Sequence, residues 1–94
     1  MKLAVVIGQV VSTVKCGGFE QDRLLLVDFL NADGKPEGKP EVAADGIGAG
    51  NGEWVLVVSG SSARKTHDTE VPIDLSIIGI VDEVVVKEKL IFHK

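Results

Sequence analysis

Ninety-four residues make one domain, residues 1–94, whose core is small enough that a staple or a partner subunit is expected to support it. Net charge is −4, and the 10 basic side chains are scattered among 14 acidic ones, as in Lys87-Glu88-Lys89; this argues against a nucleic-acid binder, which carries a basic patch. A single cysteine, Cys16, excludes an internal disulfide and fits a reducing compartment, and with His67 and His93 alone beside it no zinc-ligand spacing exists.

In chain order the sequence reads as short β segments between glycine-rich turns, an all-β pattern. The first strand spans roughly Lys2 to Val14 and is broken by Gly17-Gly18. Its apolar run from Leu3 to Val14 falls short of the ~20 residues of a spanning helix, and no small-residue cleavage site follows it, so a soluble, cytoplasmic protein without a membrane partner is expected. The second strand covers Arg23 to Asn31; Asp33-Gly34 then signals a turn, and the chain stays polar to Lys39-Pro40. A short strand over Glu41 to Ala44 precedes the run Gly46-Ile47-Gly48-Ala49-Gly50-Asn51-Gly52, which no regular element tolerates. Glu53 to Ser59 is the next strand. Ser61 to Lys65 has room for one helical turn with a serine cap, and a polar loop runs from Thr66 to Val71. The last long strand is Ile73 to Val86, and the tail Lys89 to His93 is expected to add an edge. Five strands in this length suggest a small OB-like β-barrel with at most one helical turn.

Three strands are apolar on both faces. Leu3, Val5, Ile7 and Val11 oppose Ala4, Val6 and Val10; Trp54, Leu56 and Val58 oppose Val55 and Val57; Ile73, Leu75, Ile77 and Val81 oppose Ile78, Ile80, Val84 and Val86. A lone barrel in water alternates apolar with polar, because its interior takes only one face. The second face is covered either by loops and the tail or by other copies of the chain, and self-association also remedies the small size.

Candidate chemistry is thin. Gly48-x-Gly50 begins a dinucleotide-type G-x-G-x-x-G, but Glu53 stands at the third glycine position and a strand follows where a phosphate cradle needs a helix. Ser59, Ser61, Ser62, His67, Asp68 and Asp74 contain the ingredients of a hydrolase triad without a nucleophile elbow. Cys16 beside Lys15 is either an activated thiol or an ordinary turn cysteine. Glu53 and Arg64 flank one strand and either pair across a subunit boundary or remain solvated charges. Asp74 and Asp82 interrupt an apolar run and must reach water or a partner, and Asp82-Glu83 marks a strand leaving the barrel rim. Four aromatic residues, Phe19, Phe29, Trp54 and Phe92, supply a poor base-stacking platform.

Ile47-Gly48-Ala49-Gly50-x-Gly52-Glu53-x-Val55-Leu56, then Gly60-Ser61-Ser62-Ala63-Arg64, then Asp74-x-x-x-x-Gly79-Ile80-Val81-Asp82 resembles the EutN/CcmL family of microcompartment vertex proteins. Gly8-x-Val10-x-x-Thr13-x-Lys15 and Leu24-Leu25-Leu26-Val27 fit the same pattern, so the resemblance covers the whole chain. Met1 to Val6, Gly52 to Leu56, Ile78 to Val85 and Ile91-Phe92-His93-Lys94 are similar to the ethanolamine-utilisation branch; Cys16 to Phe19 and Asn31 to Lys39 depart from it. The resemblance implies a five-stranded OB-like barrel, a homopentameric ring with a narrow axial pore, and a place at the five-fold corners of a polyhedral shell beside hexameric shell proteins. It implies a structural protein with neither catalysis nor cofactor. Carried over by position, Gly48, Ala49 and Gly50 lie near the axis, where small residues let chains converge. The rival readings are a small OB-like ligand-binding module and a small enzyme.

Overall fold

The computed structural model describes residues 1–12, 23–60 and 74–94. The described residues form seven strands in order: β1 (Lys2–Val10), β2 (Arg23–Phe29), β3 (Glu41–Asp45), β4 (Trp54–Ser59), β5 (Leu75–Ile80), β6 (Glu83–Val86) and β7 (Lys89–His93). The first five close into a barrel in the order β1-β2-β3-β5-β4, with β4 returning to β1. All pairs are antiparallel except β3 with β5, where Ala44 pairs Ser76 and Asp45 pairs Ile77. This is the expected five-stranded barrel.

Alternation decides what fills it. Ala4 and Val6 of β1, Leu25, Val27 and Phe29 of β2, Ala43 of β3, Val55 and Val57 of β4, and Leu75 and Ile77 of β5 form one buried cluster. Their neighbours in sequence point outward, because successive strand side chains take opposite faces. Two register shifts modify the pattern. Between Val6 and Gly8 the residue Ile7 is extra and stands about half exposed. Between Gly79 and Ile77 the residue Ile78 is extra relative to Leu56-Val57, so Ile80 packs against the inner cluster while Ile78 joins an outer one with Ala44, Val58 and Leu24. Period-two reading had put Ile80 and Ile78 on one face; a bulge resets the parity.

Other boundaries also differ from those read in the sequence. The first strand stops at Val10 and the second at Phe29, after which Leu30 bridges to Pro36. The long strand expected to reach Val86 divides in two. The Val81 amide donates to the Trp54 carbonyl at 2.8 Å as the chain leaves the barrel, and Glu83 then starts β6. The tail β7 pairs with β6 as a separate hairpin, because a closed barrel offers no edge to extend. The helical turn expected over Ser61 to Lys65 lies outside the described residues, as do Cys16, Arg64, His67 and Asp68.

Candidate functional site

The glycine-rich loop between β3 and β4 is built on Asp45. This last residue of β3 has a fully buried side chain. Its Oδ1 accepts the amides of Ile47 at 3.0 Å and Gly48 at 3.2 Å, and its Oδ2 accepts that of Ala49 at 2.9 Å. Arg23 Nη1 lies 3.6 Å from Oδ2 and donates to the Ala49 carbonyl at 3.3 Å. Consecutive amides converging on one point make an anion cradle, and here the chain's own carboxylate fills it. Those three amides are therefore spent, which removes the main donors a phosphate would need. The signal for Asp45 was present in the sequence, since an aspartate ahead of a glycine run favours such an Asx arrangement.

The three small residues of the loop have different surroundings. Gly48 is exposed at φ 90°, with open space where a Cβ would stand. Ala49 is fully buried, and its methyl belongs to the barrel core. Gly50 donates its amide to Glu53 Oε1 at 2.7 Å. Beyond it, the Gly52 amide is held by the Val6 carbonyl at 2.8 Å. Ile47, beside Gly48, keeps 47% of its surface exposed.

Glu53 and Trp54 clasp the hairpin. Glu53 Oε2 lies 2.6 Å from Lys94 Nζ, and the Trp54 ring stacks on Phe92 with centroids 4.1 Å apart at 12°. Phe92 and Lys94 share a face of the β7 extension by their spacing of two. The hydrogen bond from Lys94, and then that from the Gly50 amide, hold the Glu53 carboxyl below its ordinary value; the same bond raises Lys94 above its own. Gly34 closes against the indole: at φ 80°, a Cβ there would meet Trp54 Cη2 at 2.7 Å. The 40 residues between Glu53 and Lys94 carry no local pattern that would reveal the pair. Arg64, the partner expected for Glu53, lies outside the described residues.

The exterior keeps its apolar character. Leu3 pairs with Leu56 on the outer side of the β1–β4 seam, and together with Ile80, Val81, Val84 and Val85 they line a groove between barrel and hairpin. Val42, Val85 and Leu90 are roughly half exposed. Among the described residues the tail thus covers part of the second face, through Phe92 on Trp54, and Val42, Val85 and Leu90 stay open. A cavity of about 440 Å³ at one barrel end, lined by Lys2, Phe29, Glu41, Ser59 and Asp74 among others, is where a ligand-binding module would hold a small molecule. Among the described residues no three His, Cys, Asp or Glu side chains converge as metal ligands. Of the triad ingredients only Ser59 and Asp74 are described, and both are exposed.

A closed barrel with a greasy exterior and a loop locked by an internal carboxylate defines a subunit made for assembly. The family model described as "Ethanolamine utilisation protein EutN/carboxysome" matches residues 1–82, and the chain belongs to the EutN/CcmL family. It is 59% identical over 95 residues to the bacterial microcompartment shell vertex protein EutN of Salmonella typhimurium, covering all of this chain and 96% of that one. Among solved structures it matches an ethanolamine utilization protein EutN at TM-score 0.92 and 58% identity, over 100% of this chain and 99% of the other. It also matches the GrpN pentameric microcompartment shell protein from Rhodospirillum rubrum at TM-score 0.83 and 44% identity, over 92% and 100%.

Proposed function

We propose that this chain is a non-catalytic shell protein of a bacterial microcompartment, a homopentamer that closes the vertices of the polyhedral coat beside hexameric shell proteins. The observation that carries the reading is the full-length likeness to shell vertex proteins, joined to an apolar exterior that one protomer leaves uncovered. The identity to EutN favours a compartment of the ethanolamine-utilisation type. Flat layers of six-fold units cannot close, and a five-fold unit supplies the curvature.

A cyclic ring joins two different patches of neighbouring copies. Fully burying an aliphatic side chain stabilises by about 1.5–3 kcal/mol. Association costs roughly 4–15 kcal/mol, so several such side chains must be covered at each boundary. The outer residues Leu3, Leu56, Val42, Val85 and Leu90 are available in that number. Gly48, Ala49 and Gly50 are assigned to the neighbourhood of the axis. Gly48 offers an open backbone surface there, and Ala49 contributes its main chain, since its methyl is committed to the core. Glu53 is assigned to the subunit boundary with Arg64 of the next copy, in competition with Lys94 for the same carboxylate.

Native mass spectrometry tests the ring. The expected species is about 50 kDa, five copies of the 10.0 kDa chain. A monodisperse single chain at working concentration overturns the assignment. Gly50→Trp tests the axial placement separately: the ring is expected to weaken, and a variant that keeps its mass and closes shells normally refutes the placement.

A further inference from the structure

We infer that Glu53 couples the docking of the β6–β7 hairpin to the conformation of the glycine loop, so that the outer hairpin and the loop tip move as one device. The coupling is made by contacts within one copy and requires that Lys94, not Arg64 of a neighbouring copy, hold Glu53 Oε2. Glu53 divides its carboxylate between the two parts: Oε1 accepts the Gly50 amide at 2.7 Å and Oε2 holds the Lys94 ammonium at 2.6 Å. Among the described residues, no hydrogen bond runs directly from loop 46–52 to hairpin 83–94.

The loop is fixed at both ends by other groups. Asp45 holds Ile47, Gly48 and Ala49, and the Val6 carbonyl holds Gly52. The stretch between, Gly50-Asn51, depends on Glu53. A carboxylate is planar and rigid, so one oxygen cannot shift without the other. The hairpin end is set by two successive barrel residues, Trp54 through Phe92 and Glu53 through Lys94, with the Lys94 amide closing on the Asp82 carbonyl at 2.8 Å. When the hairpin lifts, Lys94 leaves, the carboxylate turns to water, and Gly50 loses its oriented acceptor. Linkage makes the effect reciprocal: disturbing Gly50 loosens the hairpin.

Amide exchange by NMR on the full-length assembled protein tests this. In Lys94→Met the Gly50 amide is expected to exchange about two- to fivefold faster, the scale a screened surface pair permits. The Ala49 amide, held by Asp45, stays unchanged as an internal control. Glu53→Gln is expected to produce at least the same change, and adding Lys94→Met to it changes Gly50 no further. Lys94→Arg retains protection. Unchanged Gly50 exchange in Lys94→Met overturns the coupling, as do additive effects of the two substitutions or equal acceleration at Ala49 and Gly50.

Discussion

Replacing Asp45 by asparagine tests the claim that one buried carboxylate sets the glycine loop. Asparagine has nearly the same shape but keeps a single acceptor oxygen, and its amide nitrogen would face either the Ala49 amide or those of Ile47 and Gly48. At least one donor is left without its acceptor, and the Arg23 guanidinium loses the opposite charge 3.6 Å away. An unsatisfied buried group costs about 1–3 kcal/mol, so we expect a loss of about 2 kcal/mol. Total stability for a chain of this length is on the order of 5–14 kcal/mol, so the loss is a sizeable share. At roughly 4–8 °C per kcal/mol, the melting temperature should fall by about 8–16 °C. The assay is thermal unfolding at one fixed protein concentration, because oligomers melt in a concentration-dependent way. Asp45→Ala, which removes the acceptors of all three loop amides, should cost more than Asp45→Asn. If the asparagine variant melts within about 2 °C of the parent, the loop does not rest on this carboxylate.

Other expectations concern the clasp and the turns. Gly34→Ala should destabilise by more than Gly48→Ala, although both sit at positive φ; the backbone term is about 1–2 kcal/mol in each, and only at Gly34 must the Trp54 ring also move, with a change in the emission of this sole tryptophan. Equal melting temperatures for the two variants would contradict the contact. Lys87 and Glu88 form the β6–β7 turn at φ 50° and 66°, so Lys87→Asn with Glu88→Gly should stabilise by about 0.5–2 kcal/mol. An unchanged or lower melting temperature would count against that strain. The Glu53–Lys94 pair sets a pH window. Glu53 is lowered in the folded chain, so its contribution is complete above 4.5 and is lost as acid passes through the lowered value; Lys94 is raised, so its contribution is complete below 10.5 and fades as base passes through the raised value. The melting-temperature difference between the parent and Lys94→Met should therefore stay flat between these limits and shrink outside them, because the other titrating groups are common to both chains.

The barrel was legible in the sequence because its strands carry their own punctuation. Gly46 to Gly52, Asp33-Gly34 and the alternation through Val55 and Val57 mark turns and an inward face without tertiary information. The division of the last strand was not legible. Ile77 to Val81 is continuously apolar or glycine, and the break depends on the Val81 amide meeting the Trp54 carbonyl, a bond across 27 residues. The parallel β3–β5 pair is likewise a non-local choice made by closure. Within the candidate site, small residues at 48–50 drew notice by composition. Their separate roles did not show, because burying Ala49 while exposing Gly48 is a matter of where Asp45 pulls the backbone.

Closure of the barrel bears on what crowding can do to this chain. A sheet with free margins invites a neighbour's main chain to join it and then another, the route by which packed β proteins become fibres. Here the five barrel strands satisfy one another around a circle, so these strands present adjacent copies with side-chain shape and charge in place of a free ladder. Such contacts saturate when a polyhedron is complete and do not propagate. Margins remain on the small hairpin, whose two strands are four and five residues long and carry Glu83 and Lys89 at their starts, charges that discourage templated growth.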